Sequence, residues 1–294
     1  MTGTRMLDES FLRALEQLSF VSRRVRRRAV RGERATVRHG ASLEFSDHRA
    51  YQPGDDFRYL DWNIYMRLQR LFVKVFTAEE NLTVHILIDT SRSMSFGDPP
   101  KLWYAGRLAA ALGYLAAVDL DRVGVCAFAD GIERSMPPIR TRAQITSLFG
   151  YIESLTARGA TDFNAALTDY SLAARRPGLA IVITDLLDPG GYEQGLGALL
   201  YRAFDVVLLH VLSTEEVTPS VNGLVRLVDS ETGEQTSITA GAGLTREYSA
   251  RLSSFLERVE RFCGDRAIDY VRATTDIPFE RVILDSMRRG AFVR

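Results

Sequence analysis

The feature of this sequence that most constrains its fold is a regular alternation of short apolar runs and longer amphipathic runs, which starts near residue 83. Val84–Ile88 and Val123–Phe128 have the length and composition of buried strands, and a helix-length segment, Lys101–Val118, separates them. Strands that alternate with helices indicate a parallel sheet covered by helices on both faces. We therefore predict an α/β fold built on a doubly wound, mainly parallel sheet.

The same alternation continues towards the end of the chain. Three more strands are predicted, at Leu179–Ile183, Val206–Val211 and Ile268–Val271. The further predicted helices are Ala143–Leu155, Asp162–Ala174, Tyr192–Tyr201, Thr245–Phe262 and Phe279–Arg289. The stretch 221–240 breaks this rhythm, because two alternating runs flank a turn at Ser230–Gly233. We predict a hairpin insert there.

Residues 1–80 have a different pattern, which predicts a small helix-plus-strand segment ahead of a main domain at 81–294. An apolar stripe at helical spacing indicates a helix over residues 8–30. The alternation in Leu71–Phe76 indicates a strand. A total length of 294 residues suits one large domain together with a small one.

Oxygen-bearing side chains follow two of the predicted strands. The first strand runs directly into Asp89, Ser91 and Ser93, and Asp185 follows the strand that starts at residue 179. Because ligands of open α/β sheets bind at the carboxyl ends of the strands, we expect these side chains to converge at one solvent-facing edge. Thr161 precedes a predicted helix whose N-terminus faces the same edge.

These side chains can supply most of the ligands of one divalent cation. Mg²⁺ is bound by about six oxygen ligands at roughly 2.0–2.1 Å. The predicted metal ligands are Asp89, Ser91, Ser93, Thr161 and Asp185. Mg²⁺ is the expected ion, and Mn²⁺ and Ca²⁺ fit the same donors. No residue of the chain is predicted to be catalytic.

In their chain order and structural contexts, the five residues resemble the metal-ion-dependent adhesion site of the von Willebrand A family. That site uses an Asp-x-Ser-x-Ser loop, a Thr in a second loop and an Asp after a later strand, and the resemblance spans about residues 82–290. It implies a Rossmann-like von Willebrand A fold. It also implies that the ion keeps an open position, which a Glu or Asp of a partner protein completes. The expected function is therefore metal-ion-dependent protein–protein interaction.

A second resemblance covers the segment ahead of the main domain. Glu44–Trp62, with the sequence EFSDHRAYQPGDDFRYLDW, is similar to the signature of a bacterial family named "domain of unknown function 58". Further residues that fit this family are Arg67, Leu71, Val73 and Lys74. Members of the family are often encoded beside MoxR-type AAA+ ATPases, which implies such an ATPase as a candidate partner.

The charges within Asp47–Trp62 and just beyond it predict an internal scaffold. Three arginines are expected to pair with three aspartates above a layer of aromatic side chains. The arginines are Arg49, Arg58 and Arg67, the aspartates are Asp55, Asp56 and Asp61, and the aromatic residues are Tyr51, Tyr59 and Trp62. A surface that binds a partner or ligand is the alternative for the same residues.

Two other functions are alternatives. A metal-assisted phosphohydrolase would use the same cation, but an aspartyl-phosphate mechanism needs a second Asp two residues after the first, where this chain has Ser91. A nucleic-acid-binding protein would use the arginine-rich run Arg23–Arg38, but Lys+Arg and Asp+Glu both total 37, so the net charge does not favour it. The chain also lacks a P-loop pattern. We predict a protein that is not an enzyme and does not bind nucleic acid.

The expected location is the cytoplasm. Cys126 and Cys263 have no metal-binding spacing, which favours free thiols in a reducing compartment. Charged residues interrupt the apolar positions of residues 7–21, so no signal peptide is predicted. The most apolar helical run, Leu108–Val118, is much shorter than the ~20 residues needed to span a bilayer. No membrane span is therefore expected.

Overall fold

A computed structural model of the chain describes residues 6–18, 43–53, 55–78, 83–118, 121–139, 142–220 and 223–291. These residues form two compact units. The larger contains the described residues up to 18 and from 83 onward, and the smaller contains those between 43 and 78. The N-terminal helix thus belongs to the larger unit, whereas the sequence pattern groups it with residues 1–80.

Packing explains where the N-terminal helix belongs. This helix, α1, is described over residues 9–18. Asp8 caps its start, because Oδ1 of Asp8 accepts a hydrogen bond from the backbone N–H of Phe11 at 2.8 Å. The Phe11 side chain is fully buried, and its ring centroid lies 5.0 Å from that of Phe279 in the larger unit. The rest of the predicted helix and the arginine-rich run Arg23–Arg38 lie outside the described residues.

The smaller unit is a strand pair with a short helix between its strands. Its elements are β1 (Leu43–Ala50), α2 (Trp62–Leu68) and β2 (Phe72–Ala78). The strands pair in antiparallel fashion. Asp61 caps α2, because its Oδ1 accepts hydrogen bonds from the backbone N–H groups of Asn63 and Ile64 at 2.9 and 3.2 Å.

Two of the three ion pairs predicted for the scaffold are present. Arg49 donates two hydrogen bonds, of 2.7 and 2.6 Å, to the carboxylate of Asp55. Arg58 lies 2.6 Å from Oδ2 of Asp56. The partners are six and two residues apart in the chain, so both pairs are local and could be predicted from the sequence.

The prediction that Asp61 pairs with an arginine is wrong, because its partners are a histidine and a lysine. Nε2 of His48 lies 2.9 Å from Oδ2 of Asp61, and Nζ of Lys74 lies 3.5 Å from the same oxygen. His48 and Lys74 are opposite each other in the β1–β2 pair, so both reach Asp61 from the strands. The hydrogen bond with His48 is the main cause that lowers the pKa of Asp61 to about 2. Trp62 is 59% exposed and does not pack beneath these charges as predicted.

A six-stranded sheet forms the centre of the larger unit. The strands of this unit are β3 (Thr83–Asp89), β4 (Arg122–Phe128), β5 (Ile132–Ile139), β6 (Leu179–Thr184), β7 (Asp205–Leu212), β8 (Gly223–Val228), β9 (Gln235–Ala240) and β10 (Asp269–Thr274). Six of them form the sheet, in the order β10–β7–β6–β3–β4–β5. Neighbours are parallel except for β4 and β5. The predicted α/β class with a mainly parallel sheet is therefore confirmed.

Helices cover both faces of this sheet. They are α3 (Lys101–Val118), α4 (Ile145–Glu153), α5 (Phe163–Ala173), α6 (Glu193–Tyr201), α7 (Thr214–Val217), α8 (Ala242–Gly264) and α9 (Phe279–Arg288). Ile86 and Ile88 of β3 contribute to one hydrophobic core with α1, α3, α4 and α9, and Leu87 contributes to a second core with α5, α6 and α8. Because alternate side chains of a strand face opposite sides, a strand such as β3 that is buried along its whole length fits a sheet covered on both faces.

The edge strand β5 is absent from the sequence-based prediction. Pro137 and Pro138 lie within it, and proline lacks the N–H group that an interior strand donates to its neighbour. In this sheet β5 pairs only with β4, so its outer side needs no such donor.

The predicted hairpin insert is present outside the central sheet. Strands β8 and β9 pair with each other in antiparallel register from Gly223 and Ala240 to Val228 and Gln235. Residues 229–234 connect them, which includes the turn predicted at Ser230–Gly233.

Phe11→Ala is expected to lower the free energy of unfolding of the larger unit by ~3–5 kcal/mol, because it removes a fully buried ring from the core. Urea denaturation followed by circular dichroism measures this loss. Leu12→Ala is the control on the same helix, where Leu12 is 44% exposed. Its expected loss is below ~1 kcal/mol. Small and equal losses in both variants would contradict the packing of α1.

Candidate functional site

Three chain segments meet at the carboxyl edge of the central strands. Asp89 ends β3, and Asp185 directly follows β6, the parallel neighbour of β3. The third segment is the loop 154–162 between α4 and α5. The loop after β3 leads at once into a short 3-10 helix, Arg92–Ser95, in which Ser93 and Met94 are buried.

Four of the five predicted metal ligands form one hydrogen-bonded row. Oδ1 of Asp89 accepts the backbone N–H of Ser91 at 2.9 Å, and the Oγ atoms of Ser91 and Ser93 lie 3.0 Å apart. Oγ of Ser93 then donates to Oδ2 of Asp185 at 2.7 Å. The four oxygen-bearing side chains therefore lie together, as their positions after paired strands predict.

Thr161, the fifth predicted ligand, lies in a loop that is hydrogen-bonded to the first loop. The N–H of Arg158 donates to the carbonyl of Thr90 at 2.8 Å, and the N–H of Arg92 donates to the carbonyl of Gly159 at 3.1 Å. The polar atoms of Thr161 engage a different group. Its hydroxyl donates to Oε1 of Glu231 at 2.8 Å and its N–H donates to Oε2 of Glu231 at 3.1 Å.

The expectation that the serine hydroxyls face solvent is wrong. Ser91 is 0% and Ser93 is 9% exposed, and both aspartates of the row are 2% exposed or less. Ser91 is the N-cap of the 3-10 helix after β3 and Ser93 lies within it, and Met94 of the same helix is fully buried, so this turn is packed against the core. Of the five predicted ligands, only Thr161 is partly exposed.

Lys101 is a central residue of this site that the sequence analysis assigns only to a helix. Its side chain is 0% exposed, and its Nζ donates to Oδ2 of Asp185 at 2.7 Å and contacts a carboxylate oxygen of Glu216. Burial lowers the pKa of Lys101, but the two carboxylates outweigh this effect and raise the pKa above its ordinary value. The only signal in the sequence is a lysine at the first turn of a helix that has one other charged residue, Arg107, since the helix dipole disfavours a cation at that end.

Glu216 comes from α7, directly after β7. The residue is held by a capping box, in which its carboxylate accepts the N–H of Ser213 at 2.8 Å and its own N–H donates to Oγ of Ser213 at 3.1 Å. The spacing Ser-x-x-Glu could have identified the helix start. It could not have identified Lys101 as the second partner of Glu216, because 115 residues separate the two.

The site carries more negative than positive charge. Asp89, Asp185 and Glu216 oppose the single ammonium of Lys101, which leaves a formal charge of −2 when all four groups are ionised. Burial, reinforced by the negative charge of Asp185, raises the pKa of Asp89 to about 7. Oδ2 of Asp89 accepts a hydrogen bond from a neutral donor, the hydroxyl of Thr184, at 2.7 Å.

His210 positions the loop after β6. Its Nε2 lies 2.9 Å from the carbonyl oxygen of Asp185, and its Nδ1 lies 2.8 Å from the hydroxyl of Tyr270. Burial lowers the pKa of His210 to about 4, so the ring is neutral near pH 7. A carbonyl only accepts hydrogen bonds, so Nε2 carries the proton and Nδ1 accepts from Tyr270.

The donor atoms fit a hard divalent cation. The five predicted ligands present two carboxylates and three hydroxyls, which suit Mg²⁺, Mn²⁺ or Ca²⁺ and not a soft metal. Among the described residues there is no group of three or more His, Cys, Asp and Glu side chains arranged to hold a metal. A metal ion at this site would therefore depend on the hydroxyl oxygens as ligands, in addition to the negatively charged carboxylates.

Comparison with known proteins places the chain among uncharacterized bacterial proteins. Residues 47–254 match the family described as "Protein of unknown function DUF58". Uncharacterized proteins of Mycobacterium tuberculosis and Mycobacterium bovis are 26% identical to it over 294 residues, which cover 97% of this chain and 92% of theirs. The resemblance predicted from Glu44–Trp62 is therefore confirmed.

Solved structures with a similar backbone come from other bacteria. The conserved hypothetical protein BatB of Bacteroides thetaiotaomicron is 20% identical, with a TM-score of 0.46, and the match covers 71% of this chain and 98% of that one. An aerotolerance-related membrane protein of Bacteroides fragilis is 18% identical, with a TM-score of 0.43, and the match covers 71% and 99% of the two chains.

The predicted cytoplasmic location is contradicted by these comparisons and is withdrawn. The Bacteroides fragilis protein is described as a membrane protein, and a similar structure from Vibrio fischeri is described as an uncharacterized membrane spanning protein. The prediction relied on the lack of a signal peptide and of an apolar span, and such absences do not assign a compartment. Within the part of the chain that the structure describes, no helix is both long and apolar enough to cross a bilayer.

Lys101→Met is expected to destabilise the larger unit by ~3–5 kcal/mol in metal-free buffer, because the carboxylates of Asp185 and Glu216 then lose their buried counter-charge. Chemical denaturation in the presence of EDTA measures the change. Arg251→Met is the control, since the side chains of Arg251 and its partner Glu247 are 80% and 58% exposed. Its expected cost is ~0–1 kcal/mol. Equal losses in the two variants would contradict the role of Lys101.

Proposed function

The chain belongs to the DUF58 family, and we propose that it is a metal-ion-dependent protein-binding module of the von Willebrand A type. The observation that carries this proposal is the hydrogen-bonded row of Asp89, Ser91, Ser93 and Asp185 at the carboxyl edge of two paired parallel strands. This edge is where open α/β sheets bind ligands. A single Mg²⁺ is the proposed ion, with Mn²⁺ or Ca²⁺ as substitutes.

The chemistry of the ligands supports binding of a partner carboxylate. Asp89, Ser91, Ser93, Thr161 and Asp185 would hold the ion. Three of these ligands are neutral hydroxyls, and Lys101 already offsets part of the negative charge of Asp185. Five donors would leave one position of a six-coordinate ion open, and an oxygen of a partner carboxylate could complete it. Among the five proposed ligands, Thr161 is partly exposed and the other four are buried, so a partner would approach the ion from the side of Thr161.

The same features favour binding over catalysis. In an aspartyl-phosphate mechanism, a carboxylate two residues after the first Asp acts as acid and base. Ser91 occupies that position, and its hydroxyl is engaged with Ser93. We therefore retain the proposal that the protein is not an enzyme.

The proposed partner is a protein that presents a Glu or Asp side chain. A MoxR-type AAA+ ATPase is the candidate, on the basis of the family resemblance. The rim around Thr161 would determine which acidic protein is accepted, since a carboxylate alone is common to many surfaces. Exposed residues of this rim include Arg92 and Asp162.

The purified protein is expected to bind one equivalent of Mg²⁺ or Mn²⁺, and Asp89→Ala is expected to abolish this binding. The reason is that Asp89 supplies one of only two carboxylates among the proposed ligands. Titration calorimetry measures the binding. The control is Asp169→Ala, which removes an exposed carboxylate on α5 and should retain full binding. Equal cation binding by wild type and Asp89→Ala would refute the metal site.

The double variant Ser91→Ala/Ser93→Ala is expected to weaken binding of a MoxR-type ATPase by ~2–5 kcal/mol, and EDTA should have the same effect on the wild type. The loss arises because the partner carboxylate no longer meets a fixed positive charge. Surface plasmon resonance with and without EDTA measures it.

Both serines are buried, so circular dichroism and thermal denaturation must first show that the double variant is folded. Asp169→Ala again serves as the control. Unchanged affinity in a folded double variant would show that the partner is held elsewhere on the protein.

A further inference from the structure

The tip of the β8–β9 hairpin delivers a carboxylate to the one proposed ligand that is partly exposed. Both oxygens of Glu231 are engaged by Thr161, through its hydroxyl at 2.8 Å and its N–H at 3.1 Å. The two residues are 70 positions apart in the chain. The Glu231 side chain therefore connects the hairpin insert to the candidate site.

The turn of the hairpin holds Glu231 in this position. Oδ1 of Asp229 accepts the N–H groups of Glu231 and Thr232, both at 2.8 Å. Gly233 adopts φ +75°, a left-handed conformation that favours glycine, and its N–H donates to the carbonyl of Asp229 at 3.0 Å. From the opposite side, Arg92 of the first loop donates to the carbonyl of Ser230 at 3.4 Å.

The burial pattern of the hairpin is the reverse of what hydrophobicity would produce. Leu224 is 80% and Val228 is 57% exposed, while Glu231 at the tip is half-buried. No lysine or arginine of the described residues forms an ion pair with Glu231. A half-buried carboxylate without a cationic partner is costly, and here it lies beside a site that already has an excess of negative charge.

We infer that Glu231 is an in-chain ligand of the proposed cation, at the position that a partner carboxylate would take. This inference rests on the proposed function. It explains why a carboxylate without a cationic partner is directed to Thr161, since the ion would supply the missing positive charge. It also specifies the partner's chemistry further, because the partner must present a carboxylate that displaces Glu231 from Thr161.

A purely structural role of Glu231 predicts a different result. If Glu231 only braces the loop around Thr161, Gln at the same position keeps one of the two hydrogen bonds from Thr161, and the number of water molecules on the bound ion should not change. If Glu231 is a ligand, its replacement removes one negative oxygen donor and opens a place for water on the bound ion.

The test is Mn²⁺ binding by the full chain, measured by electron paramagnetic resonance and by the relaxation rate of water protons. Glu231→Gln should bind Mn²⁺ on the order of tenfold more weakly than wild type. Per bound ion, it should relax water protons faster, because one more exchangeable water reaches the metal. Glu234→Gln is the control, since Glu234 lies in the same turn and is exposed. In the described hydrogen bonds, only the backbone atoms of Glu234 take part.

The outcomes separate this inference from the proposed function. If wild type and Glu234→Gln bind Mn²⁺ and Glu231→Gln matches them in affinity and relaxation, the inference is wrong and the metal site stands. If neither wild type nor Glu234→Gln binds Mn²⁺, the proposed function and this inference both fail. Circular dichroism of Glu231→Gln checks that the exposed turn tolerates the change.

Discussion

The buried negative charge at the carboxyl edge of the sheet is the constraint on which this region of the protein depends. Asp89 and Asp185 follow two paired parallel strands, so both carboxylates occupy the same nearly water-free space. Burial of a charged carboxylate costs on the order of several kcal/mol per ion. The protein offsets this cost with the ammonium of Lys101 and with hydroxyl and N–H donors, all of which come from chain segments at this edge.

The fold determines which segments can contribute those donors. In a parallel sheet, every strand delivers its carboxyl end to the same edge, and every following helix starts there. Lys101 therefore meets Asp185 although α3 follows β3 and not β6, and Glu216 reaches the same ammonium from the end of β7. The arrangement of charges is a property of the sheet and its crossovers, and no single loop contains it.

Because the site is assembled from the ends of several strands and helices, only part of it could be predicted from the sequence. The buried parallel strands consist mainly of apolar residues, so their ends, and with them Asp89 and Asp185, could be located from the pattern of residues alone. The edge strand β5 could not be located in this way, because its two prolines are compatible only with the side of an edge strand that has no neighbouring strand. Neither Lys101 nor Glu231 could be assigned to the site, because each is brought there by tertiary contacts across 84 and 70 residues respectively, and local spacing carries no information about such contacts.

The hydrogen bonds of the two aspartates also bear on how a partner would be selected. Oδ2 of Asp185 accepts from Ser93 and Lys101, and Oδ1 accepts from the N–H of Leu187 at 3.1 Å, so side-chain and backbone donors of the protein hold this carboxylate in place. Under the proposed function, the ion would meet a preorganised site, and the competition at its open position would be between Glu231 and a partner carboxylate. An in-chain carboxylate has an effective concentration in the millimolar range, on the order expected for short connections. A lone acidic side chain on another protein cannot displace it, so a partner must gain additional free energy from contacts with the rim.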